Sequence, residues 1–140
     1  MQNTRPILLI EDDSIDAMTV KRALKEHRVE TALIHMVDGE DALEYLHSAN
    51  GEKPCVILLD LHAPKMSGFD FLETIKADDS LKDIPIVVFS GSDEQDVTGR
   101  AFSLGASDYI IKSTEYTEFF ESFGSILKFL TDSSELSAKG

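Results

Sequence analysis

The 140-residue chain has a single cysteine, so no intramolecular disulfide can form, and no cysteine–histidine group has zinc-site spacing. That residue, Cys55, opens an apolar run and reads as a small core side chain rather than a nucleophile. Basic residues are scarce: 13 lysines and arginines stand against 26 aspartates and glutamates, a net charge of −13. Such a balance argues against nucleic acid as a direct partner, because phosphate binding needs a basic face, and against an anionic membrane surface. The acidity reads first as solubility. No apolar run approaches the roughly 20 residues of a transmembrane helix, and residues 1–5 contain no apolar segment of the secretory kind. A reducing cytoplasm is the expected setting. Hydrophobic residues make up 42% and charged residues 28%, the balance of one soluble domain with a proper core.

The chain does hold short, unbroken apolar runs. The central one is Cys55-Val56-Ile57-Leu58-Leu59-Asp60, whose lack of alternation predicts a strand buried on both faces of a parallel sheet. It stops on a carboxylate. In open α/β sheets ligands sit outside the carboxyl ends of the strands, where Asp60 would lie. Ile7-Leu8-Leu9-Ile10 is a similar run and ends in Glu11-Asp12-Asp13. A helix is expected next, capped by Asp13 or Ser14, with Ile15, Met18, Val20 and Leu24 as its apolar positions.

Ala32 to Val37 reads as a short strand closed by Asp38-Gly39, and Ala42, Leu43 and Leu46 mark the following helix. After Asp60 a loop through His62 leads to Ser67-x-x-Asp70, a capping-box-like start for a helix carrying Phe69, Leu72 and Ile75. Ile84 to Phe89 is the fourth strand, with Pro85 tolerated at its beginning and Ser90-Gly91-Ser92 at its end. Ser92-x-x-Gln95 suggests another capping box, and Gly99 weakens the helix it opens. Tyr109-Ile110-Ile111 is the fifth strand and ends in Lys112; a last helix carries Tyr116, Phe120, Phe123, Leu127 and Leu130. Five strands alternating with five helices predict a three-layer α/β sandwich with right-handed crossovers. The expected domain spans residues 5–130, with a polar, disordered tail over 131–140 and no output domain.

Four strands thus end in chemistry-bearing residues: Glu11 and Asp12, Asp60, Ser90 and Lys112. Each has a plainer reading alone: strand-end acids often cap the next helix, Ser90 suits a turn, and Lys112 suits solvent. Together, on one edge of a parallel sheet, the carboxylates would repel one another, and a hard divalent cation such as magnesium would relieve this. Lys112 adds a point charge for phosphate and Ser90 a hydroxyl, which makes a phosphoryl-transfer site with Asp60 as acceptor. Two other classes fit less well. Phosphatases of the haloacid-dehalogenase type need a second Asp two residues on, where His62 stands, and a flavin carrier needs a phosphate loop that Glu11-Asp12-Asp13 would repel.

On these residues the chain resembles the receiver (CheY-like) domain of two-component response regulators over residues 5–130. The resemblance implies a flavodoxin-like sheet in the order 2-1-3-4-5. It also implies phosphoryl transfer from a histidine kinase to Asp60 with magnesium, the metal held by Asp12, Asp60 and the backbone carbonyl of His62, with Glu11 acting through water. Ser90 and Tyr109 would form the switch, changing partner affinity on the face of the fourth helix, fifth strand and fifth helix. Tyr109 also reads as an ordinary strand aromatic. His62 and Ser92 fall where the family tunes phosphoryl lifetime, though His62 could equally point to solvent. Ser113 follows Lys112 where the family commonly has proline, often in a cis bond, which leaves that peptide's isomer open.

The stretch Leu59 to Lys65 and the Lys112-Ser113 step further resemble small regulators paired with phytochrome-type histidine kinases. Those often form homodimers through the fifth strand and helix, and Phe119 and Phe129, read as partly off the core-facing stripe, would supply interface area. The expected protein is a signalling switch rather than an enzyme, acting on an unknown downstream partner. A phosphorelay intermediate, a phosphate sink and an unphosphorylated docking scaffold stay open as alternatives.

Overall fold

The structure is a computed structural model and describes residues 5–48, 53–62, 65–91 and 94–130. Its elements run β1 (Ile7–Ile10), α1 (Ser14–Glu26), β2 (Leu33–Met36), α2 (Gly39–His47), β3 (Val56–Asp60), α3 (Gly68–Lys76), β4 (Ile86–Ser90), α4 (Gln95–Ser103), β5 (Asp108–Ile111) and α5 (Tyr116–Phe123), with a 3-10 segment over Gly124–Phe129. All strand pairs are parallel, in the order β2-β1-β3-β4-β5. The order matches the expectation, and β1, β3 and β4 are buried along their whole length as their unbroken apolar runs require. Alternate residues feed two cores. Leu8, Ile10, Ile57, Leu59, Ile86 and Val88 pack toward α2, α3 and α4, while Ile7, Leu9, Val56, Leu58, Val87 and Phe89 pack toward α1 and α5.

Caps fix where the helices enter. Asp13 accepts hydrogen bonds from the N–H groups of Ile15 and Asp16, at 2.8 and 3.0 Å. Asp38 caps α2 through the Asp41 N–H and Ser67 caps α3 through the Asp70 N–H, at 2.9 and 3.1 Å. The cap of α4 differs from the expectation: Glu94 is its N-cap, makes no side-chain capping bond, and Gln95 is the first helical residue rather than the third. Ser92 itself lies outside the described residues. β4 starts at Ile86 rather than Ile84, because Pro85 has no N–H to give the ladder; its carbonyl still accepts from Ile57 at 2.9 Å.

Two helices bury different stripes from those expected. In α1 the buried residues are Ala17, Val20, Ala23 and Leu24, whereas Ile15 and Met18 are 72% and 66% exposed. Ile15 and Met18 lie on the opposite side of the helix from the small Ala17 and Ala23, which let its backbone approach the sheet. In the last helix Phe119, Phe123, Ile126 and Leu130 are buried and Leu127 is exposed. The α-helix tightens to 3-10 at Gly124, so a three-residue spacing through Phe123 and Ile126 replaces the four-residue one. Phe119 is therefore core, not interface, and Phe129 is half-buried against the same core. Phe120 packs sideways: its ring stacks on His27, the C-cap of α1, at 3.9 Å, and the His27 Nε2–H donates to its carbonyl at 2.9 Å. Cys55 is buried and free as expected, its thiol pushed up by desolvation. No helix among the described residues is long and apolar enough to cross a membrane.

Candidate functional site

The sheet register builds the site. Ile10 pairs with Leu59 on one side and Met36 on the other, so the next residues, Glu11 and Asp60, leave the sheet as neighbours. Asp60 pairs with Phe89 and Ser90 with Ile111, which sets Lys112 one step beyond Ser90. Backbone hydrogen bonds carry the ladder past the strand ends: the Glu11 N–H donates to Met36 at 3.0 Å and the Lys112 N–H to Ser90 at 2.7 Å. Four strands thus deliver their terminal side chains to one edge, and the parallel direction makes it one point rather than two.

Glu11, Asp12 and Asp60 each bring a carboxylate oxygen to within 4.8 Å of the others. Glu11, Asp60 and Ser90 are buried, and Asp12 is exposed, so the trio opens to solvent on the Asp12 side. Lys112 Nζ lies 2.9 Å from Glu11 Oε1, 2.8 Å from Asp16 Oδ2 and 3.6 Å from Asp60 Oδ1. It also stands 4.9 Å from the centre of the Phe89 ring. The His62 N–H donates to Asp60 Oδ1 at 3.1 Å and fixes that carboxylate from the loop side, while the His62 ring is exposed. Glycine is required just beyond, since a Cβ on Gly68 would come within 2.6 Å of Leu61 Cα.

The electrostatics follow from burial and crowding. Desolvation pushes the Glu11 carboxyl up to about 8, and the hydrogen bond and charge of Asp60 add to it, against the opposing pull of Lys112 and the Asp13 N–H. Burial opposes the charge on Lys112, but its hydrogen bonds to Asp16 and Glu11 and the field of Asp60 more than offset this. The ammonium therefore holds its proton well above the ordinary lysine range. One half-buried cation is thus shared among several carboxylates, which leaves excess negative charge at the strand ends. Oxygen donors of this kind, in excess of local positive charge, fit a hard divalent cation.

Of the sequence-predicted site residues, the structure brings together Glu11, Asp12, Asp60, Ser90 and Lys112. Tyr109 lies half-buried on β5, packed against the core under α3 and α4. The Lys112–Ser113 peptide is trans, as are all the described peptide bonds. Two residues escaped the sequence reading. Asp16 occupies the third position of α1, where an acid is ordinary in any first turn, and only the fold, by placing that turn beyond β1, brings it to the site. His35 on β2 donates from Nε2 to the Glu11 carbonyl at 2.7 Å; a bond to backbone leaves no sequence signature.

A doubly wound parallel sheet with carboxylates, a hydroxyl and a lysine at its strand ends defines a receiver, and residues 7–123 match the response regulator receiver domain. The chain belongs to that family. Response regulator Rcp1 of Synechocystis sp. is 33% identical over 136 residues, covering 94% of this chain and 92% of Rcp1. The probable methanogenesis regulatory protein FilR2 of Methanothrix harundinacea is 36% identical over 115 residues, covering 80% of this chain and 74% of its own. Among solved structures, the phosphorylated cyanobacterial phytochrome response regulator RcpA superposes with a TM-score of 0.82 at 34% identity, over 91% of this chain and 94% of that one. The Mn(2+)-bound form of Rcp1 gives 0.79 at 33% identity, over 87% and 91%. The chain is a response regulator receiver domain similar to phytochrome response regulators.

Proposed function

We propose that the chain takes a phosphoryl group onto Asp60 from a phosphohistidine of a sensor histidine kinase, of the phytochrome-like class, and so changes its affinity for a downstream protein. The observation that carries this reading is Asp60 itself: a buried carboxylate at a strand end, with a lysine ammonium at 3.6 Å and two further carboxylates beside it. Asp12, Asp60 and the His62 carbonyl would hold magnesium, with Glu11 acting through water. Bound there, the ion would neutralise charge on the transferring phosphoryl oxygens. That Rcp1 has a Mn(2+)-bound form and RcpA a phosphorylated one supports the reading.

In the transfer an Asp60 oxygen attacks phosphorus, the P–N bond breaks, and its electron pair leaves on the imidazole nitrogen. Lys112 and Ser90 then meet the new phosphoryl oxygens. His62 and Ser92 are the residues assigned to tune the lifetime of the acyl phosphate against water. The added charge is about 1.5 to 2 negative units, enough to redirect Ser90 and, through β4 and β5, Tyr109. The output face is that of α4, β5 and α5, where Phe102 and Ile111 are exposed. There it docks its target or a second copy of itself. The protein acts in the cytoplasm as a switch, with no turnover beyond its own phosphorylation and dephosphorylation.

Intact-protein mass spectrometry after incubation with acetyl phosphate tests this. A magnesium-dependent gain of one phosphoryl group, absent in Asp60→Asn, is expected. No gain in the wild-type chain, or an equal gain in Asp60→Asn, overturns the assignment.

A further inference from the structure

We propose that Asp16 holds Lys112 in a resting position, and that charge arriving on Asp60 draws the ammonium away from it. Asp16 is on this view a positioning residue that sets how readily the site accepts a phosphoryl group. The inference rests on Asp60 being the acceptor, as proposed above.

The geometry is unequal among the partners of Lys112. Two of its three N–H donors meet Asp16 at 2.8 Å and Glu11 at 2.9 Å, both hydrogen bonds, while Asp60 at 3.6 Å is within ion-pair range only. The nearest partner of the lysine is thus not the acceptor but a carboxylate on a different element. A phosphoryl group on Asp60 supplies strong acceptor oxygens on that side, and an ammonium drawn 3.6 Å across toward them stretches one of its two existing hydrogen bonds.

Asp16 is the bond that yields. Glu11 is wholly buried, so withdrawing Lys112 would leave a carboxyl oxygen in the interior without its hydrogen-bond partner. The Asp16 side chain is 38% exposed and lies in the first turn of α1, where water and the helix N-terminus can satisfy it. Losing it is the cheaper move. Release also breaks the one ion pair described between α1 and Lys112, so the same event frees the first turn of α1 from the end of β5.

Beryllofluoride, a non-covalent stand-in for the acyl phosphate, tests this in the presence of magnesium by titration calorimetry. Asp16→Asn, which keeps the shape and removes the charge, should bind roughly two- to fivefold more tightly, the worth of a half-exposed ion pair. Asp16→Glu should return the affinity to the wild-type value. Glu118→Gln removes a carboxylate from the same corner, near Ser113, without touching Lys112, and should change nothing. Unchanged or weaker binding by Asp16→Asn overturns the inference, as does an equal gain in Glu118→Gln, which would show general charge rather than a latch. Wild-type chain that binds no beryllofluoride, or binds it equally as Asp60→Asn, fails the acceptor assignment instead.

Discussion

Glu11 carries the conflict in the site. It is fully buried beside Asp60, held by the Lys112 ammonium, the Asp13 N–H and the His35 ring on its carbonyl. Its carboxyl is pushed up from 4.5 to about 8. A raised pKa means the folded state binds the proton more tightly than the unfolded state. The stabilising contribution is therefore complete below about pH 4.5 and is lost as pH rises through 8. Metal-free protein in a chelator should accordingly lose stability between these limits. Glu11→Gln keeps an acceptor for Lys112 without the charge, and should flatten that slope and raise Tm at pH 8.5 by about 3–6 °C. Thermal unfolding followed by circular dichroism across the range checks it; parallel profiles for the two proteins would mean Glu11 is ionised throughout. The residues of this conflict were readable because Glu11, Asp12, Asp60, Ser90 and Lys112 each end an apolar run. Asp16 was not, since an acid in a helix's first turn is ordinary for any helix.

At the scale of elements, two glycines separate local propensity from packing. Gly99 sits inside α4, and a Cβ there would meet nothing within 4 Å. Gly99→Ala should stabilise the protein by about 0.5–1 kcal/mol, through the backbone freedom removed from the unfolded chain. Gly68 is the opposite case, because its Cβ would strike Leu61 backbone at 2.6 Å. Gly68→Ala should cost about 2 kcal/mol or more by displacing the loop that follows Asp60. Urea denaturation of both variants checks the contrast, and a stabilised Gly68→Ala would mean that loop yields freely. Helix faces were the least legible part of the chain. In α1, alanines mark the buried side and the larger Ile15 and Met18 the open one, so reading size as burial inverts the face. In the last helix the change to 3-10 at Gly124 shifts the stripe, and the spacing through Tyr116 and Phe120 gave no sign that Phe119 was core.

For the whole molecule, strand order was legible because a βα alternation with short connections admits few topologies and parallel crossovers fix their hand. The same topology joins the site's metal affinity to the stability of the entire domain, since its donors come from β1 and β3 at the centre of the sheet. An ion that binds only the folded chain stabilises it by mass action, about 2.7 kcal/mol at 100 times its dissociation constant. Magnesium should therefore raise the wild-type Tm by about 5–8 °C at such a concentration. A chain of net charge −13 would gain something from any added cation by screening, so sodium chloride at matched ionic strength is the reference. Asp12→Asn decides between the two effects. Removing one of three crowded carboxylates should raise the Tm of the metal-free protein by easing their repulsion, and abolish the magnesium increment beyond that of sodium. An increment equal to that of the wild type would place the bound ion elsewhere, and the strand-end carboxylates would then be a store of repulsion held by Lys112 and the N–H groups of Asp13 and His62.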